Sequence, residues 1–383
     1  MPIVAVMSLG AGAGETGFLA AMQSLPFLLL SLPAGLLADR FSRARLMAGA
    51  EMLRAAVLLA VPACLVFGAL SVPLLAVVGF LAATGTVVFS VAAPSLVPAL
   101  VARDDLARAN GRLELARSLA FAAGPALAGA LVAWAGVSPA FAAAVALSVV
   151  ACVLLARLPE PPRAAMPRRP VLHDLMEGAG FAWRHALLRP ILLTAVAWNV
   201  SWFVLQAAYV PYAVHRLGLS TAAVGTTLAM FGVGMVSGAV LAPRIARIVS
   251  FGLSIALGPL VSVAAALAMA GSIWLPRAIL PGAVMPAIAF FLFGFGPILW
   301  TIGQTTLRQA VTPAAMLGRV SALVMMATAG ARPMGAAIGG LVGAGYGPEP
   351  CLVLAALGFA VQAGVIMSSP VPRLARLPQA ACA

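Results

Sequence analysis

Gly35-Leu36-Leu37-Ala38-Asp39-Arg40-Phe41-Ser42-Arg43-Ala44-Arg45, GLLADRFSRAR, sets Asp39 beside Arg40, Arg43 and Arg45 directly behind Gly17 to Ala38, a run without a single charge. An α-helix needs about 20 mostly apolar residues to cross a hydrocarbon core of roughly 30 Å. The run is therefore long enough to span a bilayer, and the charged cluster marks the point where the chain returns to water. The backbone finds no water inside the bilayer, so spans of this kind must be helical.

The rest of the chain repeats the pattern. Of its 383 residues 63% are hydrophobic and 9% charged, whereas a soluble domain carries about 25% charged residues. An ordinary water-soluble globule is excluded, and the alternating pattern of a membrane barrel is absent. The net charge of +13 is dispersed as short arginine clusters between apolar runs rather than gathered on one basic face, so nucleic acid is not the expected partner. The basic residues are all arginine; without lysine the chain holds no Walker A phosphate loop. Cys64, Cys152, Cys351 and Cys382 are far apart in sequence, with no CxxC spacing, and read as small hydrophobes or a free tail thiol. No secretory signal is evident.

Apolar runs predict eleven spans, at about 15–38, 46–68, 72–99, 113–136, 139–157, 188–211, 222–244, 250–272, 282–306, 320–344 and 350–369. Met1 to Leu9 reads as the back half of a further helix, so the first helix is expected to be truncated and the native N-terminus longer. The segments after alternate spans hold most arginines, including Arg40, Arg103, Arg157, Arg244, Arg308 and Arg373. The opposite segments hold only Arg216 and Arg277. The positive-inside rule then makes the central loop and the C-terminus cytoplasmic, in a bacterial inner membrane. The expected organisation is an N-terminal bundle over 1–157, a linker over 158–187, a C-terminal bundle over 188–370 and a cytoplasmic tail over 371–383. In the linker, Leu172, Leu175, Met176, Ala179 and Trp183 share one helical face, which suits a helix on the membrane surface or one packed on the bundle. Ala109 to Val132 and Leu317 to Gly343 both run from a charged loop into an x-Pro step and small residues, which points to a duplicated unit.

Asp39 sits where the macrodipole of its own helix is already negative, which is unfavourable by a few tenths to about 1 kcal/mol. It needs a positive partner, either the adjacent arginines or the N-terminus of another helix, and Gly35 lets a neighbouring backbone come close. A carboxylate that meets such a partner in one conformation only is a latch.

The stretch Gly35 to Arg45 resembles the signature loop G-x-L-A-D-r-x-G-r-r of the major facilitator superfamily, with Ser42 in place of a glycine. Its surroundings are similar to the exporter branch that contains enterobactin-exporter-like and macrolide-efflux-like proteins. The resemblance implies an all-α membrane protein of two six-helix bundles related by a pseudo-two-fold axis, a central cavity and alternating access driven by an ion gradient. It implies that Gly318 to Val320 anchors Asp39. The second-half counterpart, Gly238 to Ile248, has Ala242 where the aspartate would stand, so a single latch is expected. Gly124, Pro125 and Gly129 resemble the family's antiporter motif and are echoed by Arg332, Pro333, Gly335, Gly339 and Gly340; close packing of small residues is the plainer reading of the same positions. The fourth family helix lacks the arginine common among drug antiporters of the superfamily.

Charges within spans are functional candidates by default. Glu51 with Arg54, and Glu114 with Arg117, stand three apart and can pair locally, whereas Arg332 is expected to seek Asp39, Glu51 or Glu114 in a gate. The alternative is that all of them snorkel to water. Asn199, Trp202, Gln206 and Tyr209 share one face, and Trp300 and Gln304 another. Amide and aromatic groups on an apolar cavity would orient an amphipathic organic molecule without a fixed charge. Glu15, Glu51 and Glu114 are the acids available for proton coupling.

No enzyme is expected: HExxH is absent, and His173, His185 and His215 lie in loops or at a span end. Gly10 to Gly14 follows no strand and reads as a flexible loop. The expected protein is thus a monomeric secondary exporter whose partners are the bilayer, a small molecule and protons, with no cofactor and no metal. Its rivals are a non-transporting sensor or scaffold and a truncated, inactive carrier.

Overall fold

The computed structural model describes residues 19, 22–23, 25–160, 171–219, 221–274 and 282–378. The expectations for Met1 to Leu9, the Gly10 to Gly14 loop, Glu15 and Cys382 lie outside the described residues. Twelve α-helices occur among those described: α1 Ser31–Arg40, α2 Arg43–Val66, α3 Val72–Leu100, α4 Leu106–Ala135, α5 Val137–Ala156, α6 Val171–Arg184, α7 Leu188–Pro211, α8 Thr221–Ile248, α9 Phe251–Gly271, α10 Val284–Val311, α11 Leu317–Tyr346 and α12 Pro348–Met367. Eight of the described helices are long and apolar enough to cross a membrane. Setting aside α6, each expected span overlaps a helix, the first of them, among the described residues, over 25–29 and 31–38.

The helix boundaries follow local chemistry. Ser42 caps α2 by accepting a hydrogen bond from the Arg45 N–H at 3.3 Å, and Ser71 caps α3 through the Leu74 N–H at 3.4 Å. Pro62, Pro94, Pro243, Pro297 and Pro333 lie inside helices, where neighbouring helices can satisfy the freed carbonyls. Two 30-residue helices, α4 and α11, are each followed by a 20-residue helix after a single glycine. Those glycines, Gly136 at φ +89° and Gly347 at φ +85°, occupy backbone space open to few other residues. The matched lengths and identical joints are the structural imprint of the duplication.

By packing the chain falls into two compact units. One comprises residues 1–102, 125–180 and 312–326; the other comprises 103–124, 181–311 and 327–383. This grouping departs from the linear division expected from the sequence in two segments, since 103–124 pack with the second unit and 312–326 with the first. Long helices cause the difference: α4 and α11 run on past the end of one packing neighbourhood. The core of the first unit gathers Ala34, Met47, Val87, Val91 and Leu96 with Ala322 of α11. That of the second gathers Trp202, Leu205, Tyr209, Phe290, Phe293 and Phe359. The start of the expected tail packs on the second unit: Val371 is fully buried, and the N–H of Gly252 at the start of α9 donates to the Leu374 carbonyl at 2.8 Å.

Candidate conformational latch and substrate cavity

Asp39 occupies the last turn of α1 and is 5% exposed. Its Oδ1 accepts from the Gly318 N–H at 2.8 Å and its Oδ2 from the Arg319 N–H at 3.0 Å, both in the first turn of α11. The first N–H groups of a helix have no partner within it and carry its positive dipole end. A carboxylate there is stabilised by the same field that disfavours it at the end of α1. The Arg319 Nε adds a third bond to Oδ2 at 3.2 Å. Arg319 then spreads its guanidinium to Glu177 of α6 at 3.0 Å and to the Ala315 carbonyl at 3.1 Å. Beside it Arg43, buried, donates to the Ala314 carbonyl at 2.9 Å, while Arg40 and Arg45 are exposed.

The geometry depends on glycine. A Cβ at Gly35 would stand 2.5 Å from the Ala322 Cβ and 2.8 Å from the Gly318 carbonyl oxygen; one at Gly318 would stand 2.5 Å from Asp39 Oδ1. Real Cβ atoms do not approach so closely, so the two backbones touch only because both side chains are missing.

Two carboxylates that sequence reasoning did not assign to the site complete it. Glu177 is one. The other, Glu160, sits just beyond α5, its Oε2 accepting from the Ser42 hydroxyl at 2.7 Å and the Ala44 N–H at 3.0 Å, and its Oε1 from the Arg43 N–H at 3.2 Å. Partial burial opposes its ionisation. The hydrogen bonds from Ser42, Ala44 and Arg43, with the Arg43 charge, outweigh that and hold its carboxyl below the usual value. Glu160 thus caps α2 from a distance. Its separation from Ser42 by 118 residues hides the contact from any local pattern; the one available signal was an acid between prolines at the end of a span. Because the folded pKa is depressed, its contribution is present above the unfolded carboxylate value of about 4.3 and is lost as pH falls through the folded one. Glu160→Gln should therefore lower thermal stability at pH 7 by about 1 kcal/mol, the usual worth of a cap. The gap from wild type should narrow below about pH 4, as read by thermal unfolding in detergent across pH.

The charges within spans resolve separately. Arg54 holds Glu51 at 2.8 Å and reaches the Thr86 hydroxyl at 3.0 Å. Arg117, mostly exposed, stands 3.6 Å from the buried Glu114. Arg332 does not follow the expected route to a carboxylate. Among the described residues it meets the Asn199 Oδ1 at 3.4 Å and lies 5.9 Å over the Phe203 ring.

The expected substrate wall is also redistributed. Trp202 stacks on Trp198 at 5.3 Å and meets Phe231 at 5.1 Å and Phe293 at 5.2 Å. Asn199 donates to the Ala195 carbonyl at 2.9 Å, and Gln206 is half-buried. Tyr209, however, is a core residue: its ring is fully buried against Phe290 at 4.5 Å and its hydroxyl bonds Thr227. Trp300 belongs to a different cluster, with Ile191, Ile255, Leu307 and Ile366, and Gln304 donates to the neighbouring Thr305 hydroxyl at 3.0 Å. Helical periodicity groups residues on a face but does not say whether that face is lined by a cavity or by packing. Among the described residues, one cavity of about 550 Å³ is bounded by Phe121 and Ala122 of α4 and by Leu228, Phe231, Gly232, Val236 and Ser237 of α8. Phe231 joins it to the Trp202 cluster.

Of the small-residue positions, Gly335 presses on the Val200 carbonyl, and a Cβ at Gly339 would stand 2.9 Å from Ala207. Gly124 and Gly340 have open space beside them, and Pro333 is exposed. Pro125 and Gly129 lie on α4, but their immediate surroundings fall outside the described residues. Around Ala242 the second half replaces polar contact with apolar packing, Ala242 and Leu115 joining Ala239, Ile298 and Ile302. Polar joining of α4 to α10 falls instead to Asn110, which donates to Gln309 at 2.7 Å and to Thr306 at 3.0 Å.

Comparison with known proteins places this all-helical membrane fold in a family. The profile of the Major Facilitator Superfamily matches residues 1–336. The chain belongs to the Major Facilitator Superfamily. This superfamily transporter is 27% identical over 301 residues to the enterobactin exporter EntS of Escherichia coli, covering 79% of this chain and 69% of that one. It is 28% identical over 278 residues to the MFS-type transporter y4rN of Sinorhizobium fredii, covering 68% of this chain and 64% of that one. The aligned region thus spans about two thirds of the length of these relatives. Among solved structures, a bacterial homologue of the iron transporter ferroportin in an outward-facing state superposes with a TM-score of 0.76 at 16% identity, over 96% of this chain and 93% of that one. The fucose:proton symporter FucP of Escherichia coli gives 0.71 at 17% identity, over 93% and 90%. At such identities the likeness establishes the fold. The superfamily consists of transporters, so the chain is an integral membrane transport protein and not an enzyme.

Proposed function

We propose that this superfamily member is a proton-coupled exporter of a small amphipathic organic molecule, a drug, siderophore or secondary metabolite, working by alternating access in a bacterial inner membrane. The observation that carries the reading is the pair of bonds from the Gly318 and Arg319 N–H groups to Asp39. They exist only while α1 and α11 touch, so they favour one of two conformations by the whole of their differential energy. The cavity edged by Phe121, Phe231 and Ser237 supports the cargo class, being apolar and aromatic with a single hydroxyl among the residues named above. Trp202 backs its Phe231 wall, and Asn199 and Gln206 share the helix of Trp202. Likeness to an enterobactin exporter supports the direction. The C-terminus and the linker face the cytoplasm, following the arginine distribution, and the carrier works as a monomer with bundles over 1–157 and 188–370.

Glu114 is the coupling acid of this scheme, because it is buried and its partner Arg117 stands off at 3.6 Å. Glu51, held at 2.8 Å by Arg54, is neutralised within its own helix and is not the coupling acid. Counterflow in proteoliposomes, using a panel of catecholate siderophores and hydrophobic drugs with and without a pH gradient, tests the proposal. At least one compound should exchange, faster with the gradient, and Glu114→Gln should abolish the gradient's effect while leaving exchange. Binding without exchange across the panel would identify a sensor or scaffold instead. Exchange indifferent to the gradient would remove the proton.

A further inference from the structure

A second cavity, also about 550 Å³, opens where α6 hands over to α7 beside the end of α12. It is lined by Trp183, Arg184, His185, Arg189, Leu193 and, from α12 and its exit, Val365, Ser368 and Ser369. Neither the latch nor the aromatic cavity uses these residues. Two of them are permanent cations and none is acidic. The Arg189 guanidinium lies 5.8 Å from the centre of the Trp183 ring, which fixes its position from below. The Leu187 N–H donates to Nδ1 of His185 at 3.2 Å, so the neutral ring carries its proton on Nε2 and is a donor as well. Burial holds this histidine below its ordinary value and keeps it neutral at pH 7. The hydroxyls of Ser368 and Ser369 are committed to the Val365 and Ile366 carbonyls.

The setting decides the source of the anion. The cavity lies at the ends of two membrane-spanning helices, the start of α7 and the finish of α12. Its wall continues into the apolar outer face of α12: Leu354, Leu357 and Val361 precede Val365 at helical spacing, and Leu357 and Val361 are 60% and 61% exposed. On α7, Leu193 is exposed in the same way. Half-exposed Trp183 is the residue type that settles at the headgroup level. A basic pocket above an apolar stripe fits a ligand with a phosphate at one end and acyl chains at the other.

We propose that this cavity is a binding site for the headgroup of an anionic phospholipid, with Arg184 and Arg189 on the phosphate, Trp183 at the glycerol level and one acyl chain along Leu357 and Val361. Cationic pockets between spanning helices recognise acidic headgroups in this way, each arginine near the surface adding severalfold to affinity. The site is independent of cargo and coupling.

Native mass spectrometry of the detergent-purified full chain tests it, titrating dioleoyl phosphatidylglycerol, dioleoyl phosphatidylcholine and glycerol 3-phosphate. Phosphatidylglycerol should bind about tenfold more tightly than phosphatidylcholine, and millimolar glycerol 3-phosphate should not displace it. In Arg184→Gln/Arg189→Gln the preference should fall to about onefold, and in Arg184→Lys/Arg189→Lys it should largely persist. Photocrosslinking with an azide-bearing phosphatidylglycerol should label peptides over 183–193 and 354–369 in the wild type, which serves if the glutamine variant does not fold. Equal binding of the two lipids, an undiminished preference in a folded glutamine variant, or labelling confined to other peptides would overturn the proposal. Efficient displacement by glycerol 3-phosphate would reassign the site to a soluble phosphate ester.

Discussion

Asp39→Ala should release α11 from α1. The substitution leaves the first-turn N–H groups of Gly318 and Arg319 without their acceptor and strips the 5%-exposed Arg319 of one of its two carboxylates. Removing one partner of a buried, hydrogen-bonded ion pair is worth about 3–5 kcal/mol. The residual Glu177 contact, being at the more exposed end of the guanidinium, retains only part of that. Even about 1.4 kcal/mol of the difference falling on the closed conformation alone is a tenfold change in its population. Ser321, one turn into α11 and 5% exposed, reports on it without any knowledge of the cargo. In a background lacking the native cysteines, Ser321→Cys should react with a membrane-impermeant maleimide at least about tenfold faster when Asp39 is alanine. Gly318→Ala should act in the same direction, since its Cβ would lie 2.5 Å from Asp39 Oδ1 and expel the carboxylate. Exchange should fall with both. Unchanged labelling in folded Asp39→Ala would show that the carboxylate decorates the contact without holding it.

Asp39 was legible because a charge behind a long uncharged run, on a helix whose dipole repels it, implies a partner of opposite sign. That its partner stands at Gly318 followed only from likeness to a family. Glu160 and Glu177 were not legible, since contacts across more than a hundred residues leave no periodicity. The spans themselves could be read from hydropathy, but not their ends. α4 begins at Leu106 rather than near 113, and α8 and α10 continue to Ile248 and Val311, because arginine, alanine and leucine propagate a helix well once it has left the bilayer. Pro243 and Pro297, which the expected spans 222–244 and 282–306 already contained, lie inside α8 and α10. Tyr209 and Trp202 share a face that periodicity identified, and only packing revealed that Phe290 fills the space beside Tyr209.

The largest loss of stability should come from Gly234 and Gly294, which no motif singled out. A Cβ on Gly294 would collide with the Phe231 carbonyl and stand 2.8 Å from the Met235 N; one on Gly234 would collide with the Phe291 carbonyl and stand 2.9 Å from the Phe295 N. Each glycine therefore accepts the backbone of the other's helix, and α8 and α10 meet main chain to main chain. Between apolar helices in lipid such close packing is a main source of adhesion, since burial from water contributes little. A side chain at either position cannot be absorbed by a rotamer change, because the obstacle is backbone. The two helices must part, and with them Phe293 and Phe290 withdraw from Trp202 and Tyr209. Overpacking of a tight core is worth about 1–3 kcal/mol against folding, and here the same displacement also opens the aromatic cluster. Gly234→Val and Gly294→Val should each abolish monodisperse elution in mild detergent, or lower the melting temperature by at least about 8 °C. Gly340→Ala, with open space beside it, should melt within about 1 °C of wild type. Were Gly294→Val to elute and melt like Gly340→Ala, the backbone contact between α8 and α10 would not be what holds this unit together.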